Sequence, residues 1–226
     1  MEKLLSKTKL FYNIPESNIA ALLKNLKAQE KTFKKNNVVL HAGDVTENLG
    51  IVLSGTVVIE YSDVWGNNSV LGRATAGEVF AEIYASLPAQ PLPVTVKATD
   101  DTVVLFIKVK RIFEYCDDIN DLQLLKNLLE ICAKKTLHLS RRAIHTTYKT
   151  IRGRLMSYFS DIVKNQQKYT FDVSFNRQQL ADYLGVDRSA MCAELSRMRR
   201  DGWIDYHKNV FRIQKAAFAE NTEESR

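Results

Sequence analysis

The chain has 226 residues, of which 45% are hydrophobic and 26% are charged, and its formal net charge is +6. This composition is that of a globular protein with enough apolar material for a core, which excludes the disordered, collagenous and low-complexity classes. No run approaches the roughly 18–20 consecutive apolar residues of a membrane span, and the apolar run at the start is too short for a signal peptide. We therefore expect a cytoplasmic protein with no membrane partner.

The three cysteines, Cys116, Cys132 and Cys192, are far apart and form no Cys-x-x-Cys pair. Histidines do not stand near them at the spacing of metal ligands, so the pattern indicates neither a disulfide framework nor a zinc or iron–sulfur site. We predict reduced thiols and no metal.

The positive charge is concentrated in one part of the sequence. Residues 147–215 contain 13 Lys and Arg against 7 Asp and Glu, whereas residues 1–146 contain 18 against 16. A locally basic segment is the electrostatic signature of a nucleic-acid partner, although a soluble basic surface explains the excess equally well.

The first predicted elements are a short helix and a β-rich region. Apolar residues at helical spacing predict an amphipathic helix over residues 16–28. From about residue 31 to residue 109, β-branched runs are interrupted at short intervals by Gly, Asp or Asn, which is typical of a small antiparallel barrel or roll. We interpret Gly43 and Gly55 as turn residues that need a positive φ.

The next predicted element is a long helix. Residues 119–146 contain no Gly or Pro, and their apolar and small residues alternate steps of three and four, which is a heptad pattern. We predict that this seam pairs with a second copy of the helix, and that Leu124 and Leu128 form a second face against the roll. The predicted seam residues are Leu122, Leu125, Leu129, Cys132, Thr136 and Leu139.

Residues 176–198 have helix-turn-helix spacing. Asn176 can cap a first helix, Gly185 can supply the left-handed residue of a tight turn, and Asp187 can cap a second helix. An αα-hairpin of an enzyme shares some of these features, but together with the local positive charge they favour DNA binding. The spacing predicts that the second helix presents its N-terminal residues to a major groove.

A two-stranded wing is predicted after the second helix. Apolar residues on both sides of a turn at residues 207–209 predict a hairpin over residues 203–213. Trp203 and Tyr206 could stack on nucleic acid, but we expect the aromatic residues of the wing to belong mainly to the core.

With these motifs in place, residues 10–215 resemble the Crp/Fnr family of bacterial transcription regulators. The resemblance rests on GIVLSGTVVI and AGEVFAEIYA in the roll, on the long helix, and above all on NRQQLADYLGVDRSAMCAELSRMRRDGWI. It implies an α+β fold with an N-terminal antiparallel β-roll of the cupin-like jelly-roll type, a long dimerisation helix and a C-terminal winged helix-turn-helix. The corresponding parts are a sensor domain over residues 1–115, the dimerisation helix over residues 116–146 and a DNA-binding domain over residues 147–226.

The resemblance also implies a function and its DNA contacts. A homodimer would bind double-stranded DNA sequence-specifically under the control of a small-molecule effector, with RNA polymerase as a further candidate partner. Arg188 and Ser189 would touch base edges with Cys192 close to them, whereas Ala193 replaces an Arg common in the family, so analogy does not predict the operator. The predicted DNA contacts are Arg177, Gln178, Gln179, Arg188, Ser189, Cys192 and Arg197.

The resemblance does not identify the effector. In relatives that bind cyclic AMP, a Gly-Glu turn holds the ribose and phosphate, and a later Arg followed by Ser or Thr pairs with the phosphate. Here Gly77 and Glu78 match the turn, but Leu92 and Pro93 replace the pair, and a buried phosphate without a cation is costly. We therefore expect a ligand other than cyclic AMP, such as a small apolar or aromatic acid, or a pocket filled by its own side chains. The predicted pocket residues are Glu78, Val79, Phe80, Tyr84, Leu92, Leu139 and Ser140.

Several alternatives stay open at this point. Glu78 can instead cap the short helix that follows it. A thiol switch at Cys116 or Cys132 is a further hypothesis, whereas we expect neither a haem nor an iron–sulfur cluster. The candidate axial ligands of a haem are His41, His138, His145 and His207.

Two other classes of function are an enzyme and a binding module. An enzyme would need a nucleophile–base pair or clustered carboxylates, and we recognise no such arrangement, so no catalytic residue is predicted. The alternative to a DNA-binding regulator is a small-molecule-binding module whose helix-turn-helix mediates protein contacts only.

Overall fold

The computed structural model describes residues 1–66, 68–114 and 118–214. The chain divides into two compact units, Met1–Lys135 and Thr136–Arg226. The division falls within one long helix and matches neither predicted domain boundary. The three predicted domains, over residues 1–115, 116–146 and 147–226, therefore stay a prediction. The first predicted boundary, like Cys116, lies outside the described residues. Among the residues that the structure describes, no helix is long and apolar enough to cross a membrane.

The first unit is an antiparallel β-roll with helices before and after it. The roll, the second of the two helices before it and the long helix after it were predicted from the sequence. The elements of this unit are α1 (Glu2–Leu5), α2 (Glu16–Asn25), β1 (Gln29–Phe33), β2 (Val38–Leu40), β3 (Asn48–Ser54), β4 (Thr56–Ser62), β5 (Asn68–Thr75), β6 (Val79–Phe80), α3 (Glu82–Ser86), β7 (Thr95–Ala98), β8 (Thr102–Lys108), α4 (Val109–Glu114) and the part of α5 (Ile119–Thr146) up to Lys135.

Two four-stranded sheets form the roll. Their strand orders are β1-β8-β3-β6 and β2-β7-β4-β5, and the paired strands are antiparallel. A cluster of buried side chains from both sheets, including Val52, Val57 and Phe80, fills the space between them. Phe80 packs so closely over Gly50 that a Cβ at that position would lie 2.2 Å from the Phe80 ring.

The predicted turn glycines are confirmed. Gly43 has φ +91° and Gly55 has φ +81°, both in the left-handed region that favours glycine. At Gly55, between β3 and β4, a Cβ would also come within 2.7 Å of the Asp101 carbonyl oxygen.

One face of α5 packs on the roll, as predicted. Leu124, Leu128 and Ile131 are buried in the cluster that also contains residues of α2, β3 and β8. The buried Asn127 side chain donates hydrogen bonds to the carbonyl oxygens of Leu10 and Tyr12, which ties the N-terminal segment to the helix.

The second unit contains the last turns of α5 and a winged helix-turn-helix. Its further elements are α6 (Ile151–Gln166), β9 (Thr170–Asp172), α7 (Arg177–Leu184), α8 (Arg188–Arg200), β10 (Ile204–His207) and β11 (Val210–Ile213). The three strands form an antiparallel sheet in the order β10-β11-β9. Buried apolar residues from these helices and strands and from the segment after β9 form a core in the described part of the unit, with Phe159 and Phe211 among the largest. The predicted α+β architecture is therefore confirmed.

Candidate DNA interface and effector segment

Local hydrogen bonds fix the α7–turn–α8 motif as its sequence predicted. The Asn176 side chain accepts from the Gln179 backbone N–H at 2.9 Å, and the Gln179 side chain accepts from the Asn176 backbone N–H at 2.9 Å. Gly185 ends α7 with φ +63°, and Asp187 caps α8 by accepting from the Ala190 N–H at 2.8 Å. These caps satisfy backbone groups that a helix end would otherwise leave unpaired.

Two arginines hold the C-terminal end of α7. Arg142 of α5 donates to the carbonyl oxygens of Tyr183 and Asp182 at 2.8 and 2.9 Å. Arg154 of α6 donates to those of Leu184 and Gly185 at 2.9 and 3.0 Å. Because cations stabilise the negative end of a helix dipole, the two guanidinium groups both satisfy these carbonyls and fix the position of α7.

A third arginine fixes α8 from its buried side. Nε of Arg152 lies 2.6 Å from a carboxylate oxygen of the buried Glu194, and Nη2 lies 2.8 Å from Asp201. The same guanidinium stacks over the Trp203 ring at 5.0 Å. The second helix is therefore held from α6 by a charged pair as well as by its apolar side chains.

The opposite face of α8 is accessible at the predicted positions. Arg188, Ser189, Ala193 and Arg197 are exposed, whereas Cys192 is half-buried. The Arg197 guanidinium lies 3.3 Å from Glu194 of its own helix. Arg188 and Ser189 form the exposed first turn of α8, so their side chains are available to a partner.

The three predicted contacts at the start of α7 already have partners within the protein. Arg177 is half-buried and donates to the Lys208 carbonyl oxygen at 2.7 Å. The Gln178 side chain donates to Asp182 at 2.8 Å, and the Gln179 side chain closes the capping box. Their contacts with DNA stay predictions, and each would compete with an internal hydrogen bond.

Two arginines stack on Tyr206, a residue of the wing. The guanidinium carbons of Arg177 and Arg199 each lie 5.4 Å from the centre of the Tyr206 ring. Arg199 also pairs with Asp205 at 2.8 Å. Tyr206 therefore joins α7, α8 and the wing, in agreement with the expectation that the wing aromatics are mainly structural.

Sequence reasoning did not predict the contacts that the end of α5 makes in the second unit. His145 is buried, with Nδ1 2.9 Å from the Tyr183 hydroxyl oxygen, and the His138 ring packs on the Tyr183 ring. Burial lowers the pKa of His145, and the nearby Asp161 carboxylate offsets this only in part. Burial likewise raises the pKa of Tyr158, which packs against His145, to about 12. The signal was present, since His138, Arg142 and His145 are spaced four and three residues apart and so share one helix face.

In the first unit, the Glu78 side chain makes hydrogen bonds within its own turn, and its role in an effector pocket stays a prediction. Its side chain is exposed and accepts hydrogen bonds from the Thr75 backbone N–H at 2.8 Å and the Thr75 hydroxyl at 3.0 Å. Helix α3 begins at Glu82 with Ala81 as its N-cap residue and no side-chain cap, so the interpretation of Glu78 as a cap of that helix is wrong. The carboxylate instead closes the turn between β5 and β6.

The other predicted pocket residues are mostly packed into the roll. Val79, Phe80 and Leu92 are buried, Leu92 being only 2% exposed, and Tyr84 is half-buried. The Leu92 backbone pairs with Asp44 and Gly43 at 2.9 and 2.8 Å. The side chain that stands in place of a phosphate-binding Arg is thus part of the core. Leu139 and Ser140 belong to the second unit and are exposed.

The buried charge of this segment is Glu82, which sequence reasoning missed. Its side chain is only 3% exposed, and its Oε1 lies 2.8 Å from Nζ of Lys135 on α5. Lys135 also donates to the Val79 carbonyl oxygen at 2.8 Å. Cys132, one turn earlier, has its pKa raised by burial and by the Glu82 charge, which argues against a reactive thiolate at this position.

The predicted seam of α5 divides into two groups. Leu122, Leu129, Thr136 and Leu139 are exposed, with Leu129 at 69%. Leu125 and Cys132 are half-buried and pack against the core cluster of the roll. An exposed row of leucines thus runs along a helix whose other face is already buried.

The described residues contain no cluster of metal-binding side chains. No group of three or more His, Cys, Asp and Glu side chains in this part of the chain could hold a metal ion. Of the candidate haem ligands, His138 and His145 pack against aromatic rings as described above.

Two family models match the chain. The cyclic nucleotide-binding domain matches residues 30–118, and the Crp-like helix-turn-helix domain matches residues 153–217. The CRP-like cAMP-activated global transcriptional regulator of Mycobacterium tuberculosis H37Rv is 22% identical over 213 residues, which are 90% of this chain and 91% of the relative. The cAMP-activated global transcriptional regulator CRP of Pasteurella multocida Pm70 is 20% identical over 179 residues, 77% of this chain and 85% of the relative.

Solved structures show the same fold. CprK complexed with OCPA is 16% identical to this chain, with a TM-score of 0.60. The match covers 85% of this chain and 88% of the CprK chain. The c-di-GMP-responsive global regulator CLP of Xanthomonas campestris is 17% identical to this chain, with a TM-score of 0.55. The match covers 88% of this chain and 99% of the CLP chain. At these identities the likeness concerns the fold alone.

Proposed function

The chain belongs to the Crp/Fnr family of transcription regulators, and from this premise we propose that it binds an inverted DNA repeat sequence-specifically as a homodimer. An effector or another signal received by the β-roll shifts the population between a DNA-competent and an incompetent dimer.

The observation that carries the proposal is the exposed first turn of α8. Arg188 and Ser189 project from a helix that is held on its other side by buried Met191 and Leu195 and by the Arg152–Glu194 pair. A rigidly held helix with an exposed N-terminal Arg is what major-groove recognition requires, since Arg can bind guanine with two hydrogen bonds. Arg197, further along the exposed face, is suited to a phosphate contact.

The exposed row on α5 supports the dimer. Leu122, Leu129 and Leu139 present large apolar surfaces to solvent in a single protomer, at positions of one heptad pattern. A second copy of the helix would bury them across a two-fold axis, and that symmetry matches an inverted repeat. Leu125 and Cys132 would lie at the border between this seam and the roll.

The proposed effector is a small molecule other than cyclic AMP. The curated relatives of M. tuberculosis and P. multocida are cAMP-activated, but Leu92 here is a core residue and Glu78 is paired with Thr75. Leu92 has no charge to pair with a phosphate, and Glu78 would have to give up its hydrogen bonds to Thr75 to contact a ribose. Val79, Phe80, Tyr84 and Leu92 make the segment apolar, which favours an apolar or aromatic ligand.

Further parts of the proposal rest on the sequence, in which we recognise neither a cysteine cluster nor a nucleophile–base pair. The protein performs no catalysis and carries no resident haem or iron–sulfur cluster. It acts in the cytoplasm, where RNA polymerase is a further partner on the DNA.

Selection of duplexes from a random pool tests the proposal. We expect the full chain to enrich one inverted repeat, and the selected duplex to bind with strong salt dependence. If no duplex is enriched and no DNA is bound at low salt with or without cell extract metabolites, the helix-turn-helix serves protein contacts only and the proposal is wrong.

A further inference from the structure

A buried ion pair joins α3 to α5 in the first unit. Oε1 of Glu82 lies 2.8 Å from Nζ of Lys135, and the Lys135 ammonium also donates to the carbonyl oxygen of Val79 at 2.8 Å. The two partners are unequally buried: the Glu82 side chain is 3% exposed and the Lys135 side chain 42%.

The energetic consequence is that Glu82 depends on Lys135. An ionised carboxylate removed from water is costly unless a counter-charge and hydrogen bonds compensate it. Lys135 of α5 supplies that counter-charge, although it lies 53 residues after Glu82 in the sequence. The pair therefore gives α3 a specific hold on one turn of α5, which the apolar contacts of Leu128 and Ile131 do not provide.

The same helix continues to the DNA-binding motif. Helix α5 is uninterrupted from Ile119 to Thr146, and in the second unit its Arg142 and His145 hold α7 by hydrogen bonds. A change at the Lys135 turn thus acts on an element that also carries contacts with the helix-turn-helix.

We propose that the Glu82–Lys135 pair is a regulatory latch, by which the effector segment holds α5 and sets the affinity for DNA. The effect of the latch on DNA binding rests on the proposed function. Its local effect on α3 and α5 is independent of that function. A signal that separates the pair releases α5 from α3 while the apolar contacts of the helix keep it on the roll.

Two single substitutions and their combination test the latch. Glu82→Gln removes the negative charge with little change of shape, and Lys135→Met removes the positive charge. The matched control is the pair Glu130→Gln and Lys134→Met, because Glu130 and Lys134 form an exposed ion pair on the same helix next to Lys135. Such exposed pairs contribute little to stability.

The first measurement is the dissociation constant for the selected duplex. We expect Glu82→Gln and Lys135→Met each to change it at least tenfold and in the same direction, and the double variant to match the single variants. The control variants should stay within twofold of the wild type. Single variants within twofold of the wild type, or effects that multiply in the double variant, would overturn the latch.

The second measurement is amide hydrogen exchange of α3 and of the α5 turn around Lys135, in the absence of DNA. Exchange there should be at least tenfold faster in Glu82→Gln than in the Lys134→Met control, and unchanged exchange would overturn the latch. If the wild type binds no DNA, the proposed function fails, and this measurement still decides the latch. Lys135→Met leaves the buried carboxylate unpaired, so Glu82→Gln is the decisive variant if Lys135→Met does not fold.

Discussion

Nδ1 of the buried His145 lies 2.9 Å from the hydroxyl oxygen of Tyr183, and this contact joins the end of α5 to α7. The same imidazole packs edge-on against Tyr158 of α6, and its Nε2 lies 3.8 Å from a carboxylate oxygen of Asp161. The imidazole of this one residue of α5 thus contacts both α6, the helix before the helix-turn-helix, and α7, the first helix of the motif.

This contact predicts a pH dependence of stability. Because burial lowers the pKa of His145 below that of the unfolded chain, the unfolded state binds more protons as the pH falls through about 6.5. The free energy of unfolding should therefore be highest above that pH and decrease below it. Thermal unfolding between about pH 5 and pH 8 should show a shallower decrease for His145→Gln than for the wild type. Parallel profiles of the two proteins would show that His145 does not cause the decrease.

The two exposed arginines of α8 should affect DNA binding differently. Arg188→Ala should weaken binding to the selected duplex by about 1–3 kcal/mol and relax the preference at one base pair. Arg197→Ala should weaken binding to all duplexes similarly and reduce the salt slope by roughly one unit. Fluorescence anisotropy with specific and random duplexes measures both effects. Equal losses on specific and random DNA for Arg188→Ala would refute its role as a base contact.

The seam of α5 can be tested on a residue that the single protomer leaves exposed. Leu129→Glu would place two carboxylates against each other in an apolar interface, which costs far more than a surface change. Light scattering should then show a monomer or aggregate. The control is Leu137→Glu, since Leu137 is also an exposed leucine of α5 but lies outside the seam. A Leu129→Glu dimer with unchanged mass and melting temperature would refute the seam.

Cyclic nucleotides should not bind the β-roll. A ligand at one hundred times its dissociation constant stabilises by about 2.7 kcal/mol, which corresponds to a rise of roughly 5–11 °C in the melting temperature. We expect no such rise with cyclic AMP or cyclic GMP at millimolar concentration, because Leu92 is buried and the nearby Lys97 is paired with Glu60. A rise with either nucleotide would contradict the proposed choice of effector.

The helix-turn-helix was predictable because each of its features is local. The caps at Asn176 and Asp187 and the left-handed Gly185 depend on residues three or four positions away, and the structure places all three as expected. A second apolar face on the same helix, outside the heptad pattern, likewise predicted the roll-facing Leu124 and Leu128.

The effector segment was less predictable because its contacts are distant in sequence. Glu78 stands in the turn that the resemblance emphasised, yet the buried carboxylate is Glu82, whose partner Lys135 comes from another helix. Lys135 follows Ile131 by one turn on the face that packs against the roll, so a charge at that position was a signal for a buried partner. Arg177 shows the same limit, since only the folded wing brings Tyr206 against its guanidinium.

Binding to duplexes that differ only in half-site spacing tests the central claim most directly. The selected inverted repeat, with half-site centres one helical turn or about 34–36 Å apart, should bind two protomers. Inserting about five base pairs between the half-sites turns one of them to the opposite side of the DNA, and we predict at least a tenfold loss of affinity. Equal affinity for the repeat, the expanded repeat and a scrambled duplex would contradict sequence-specific recognition by a symmetric dimer.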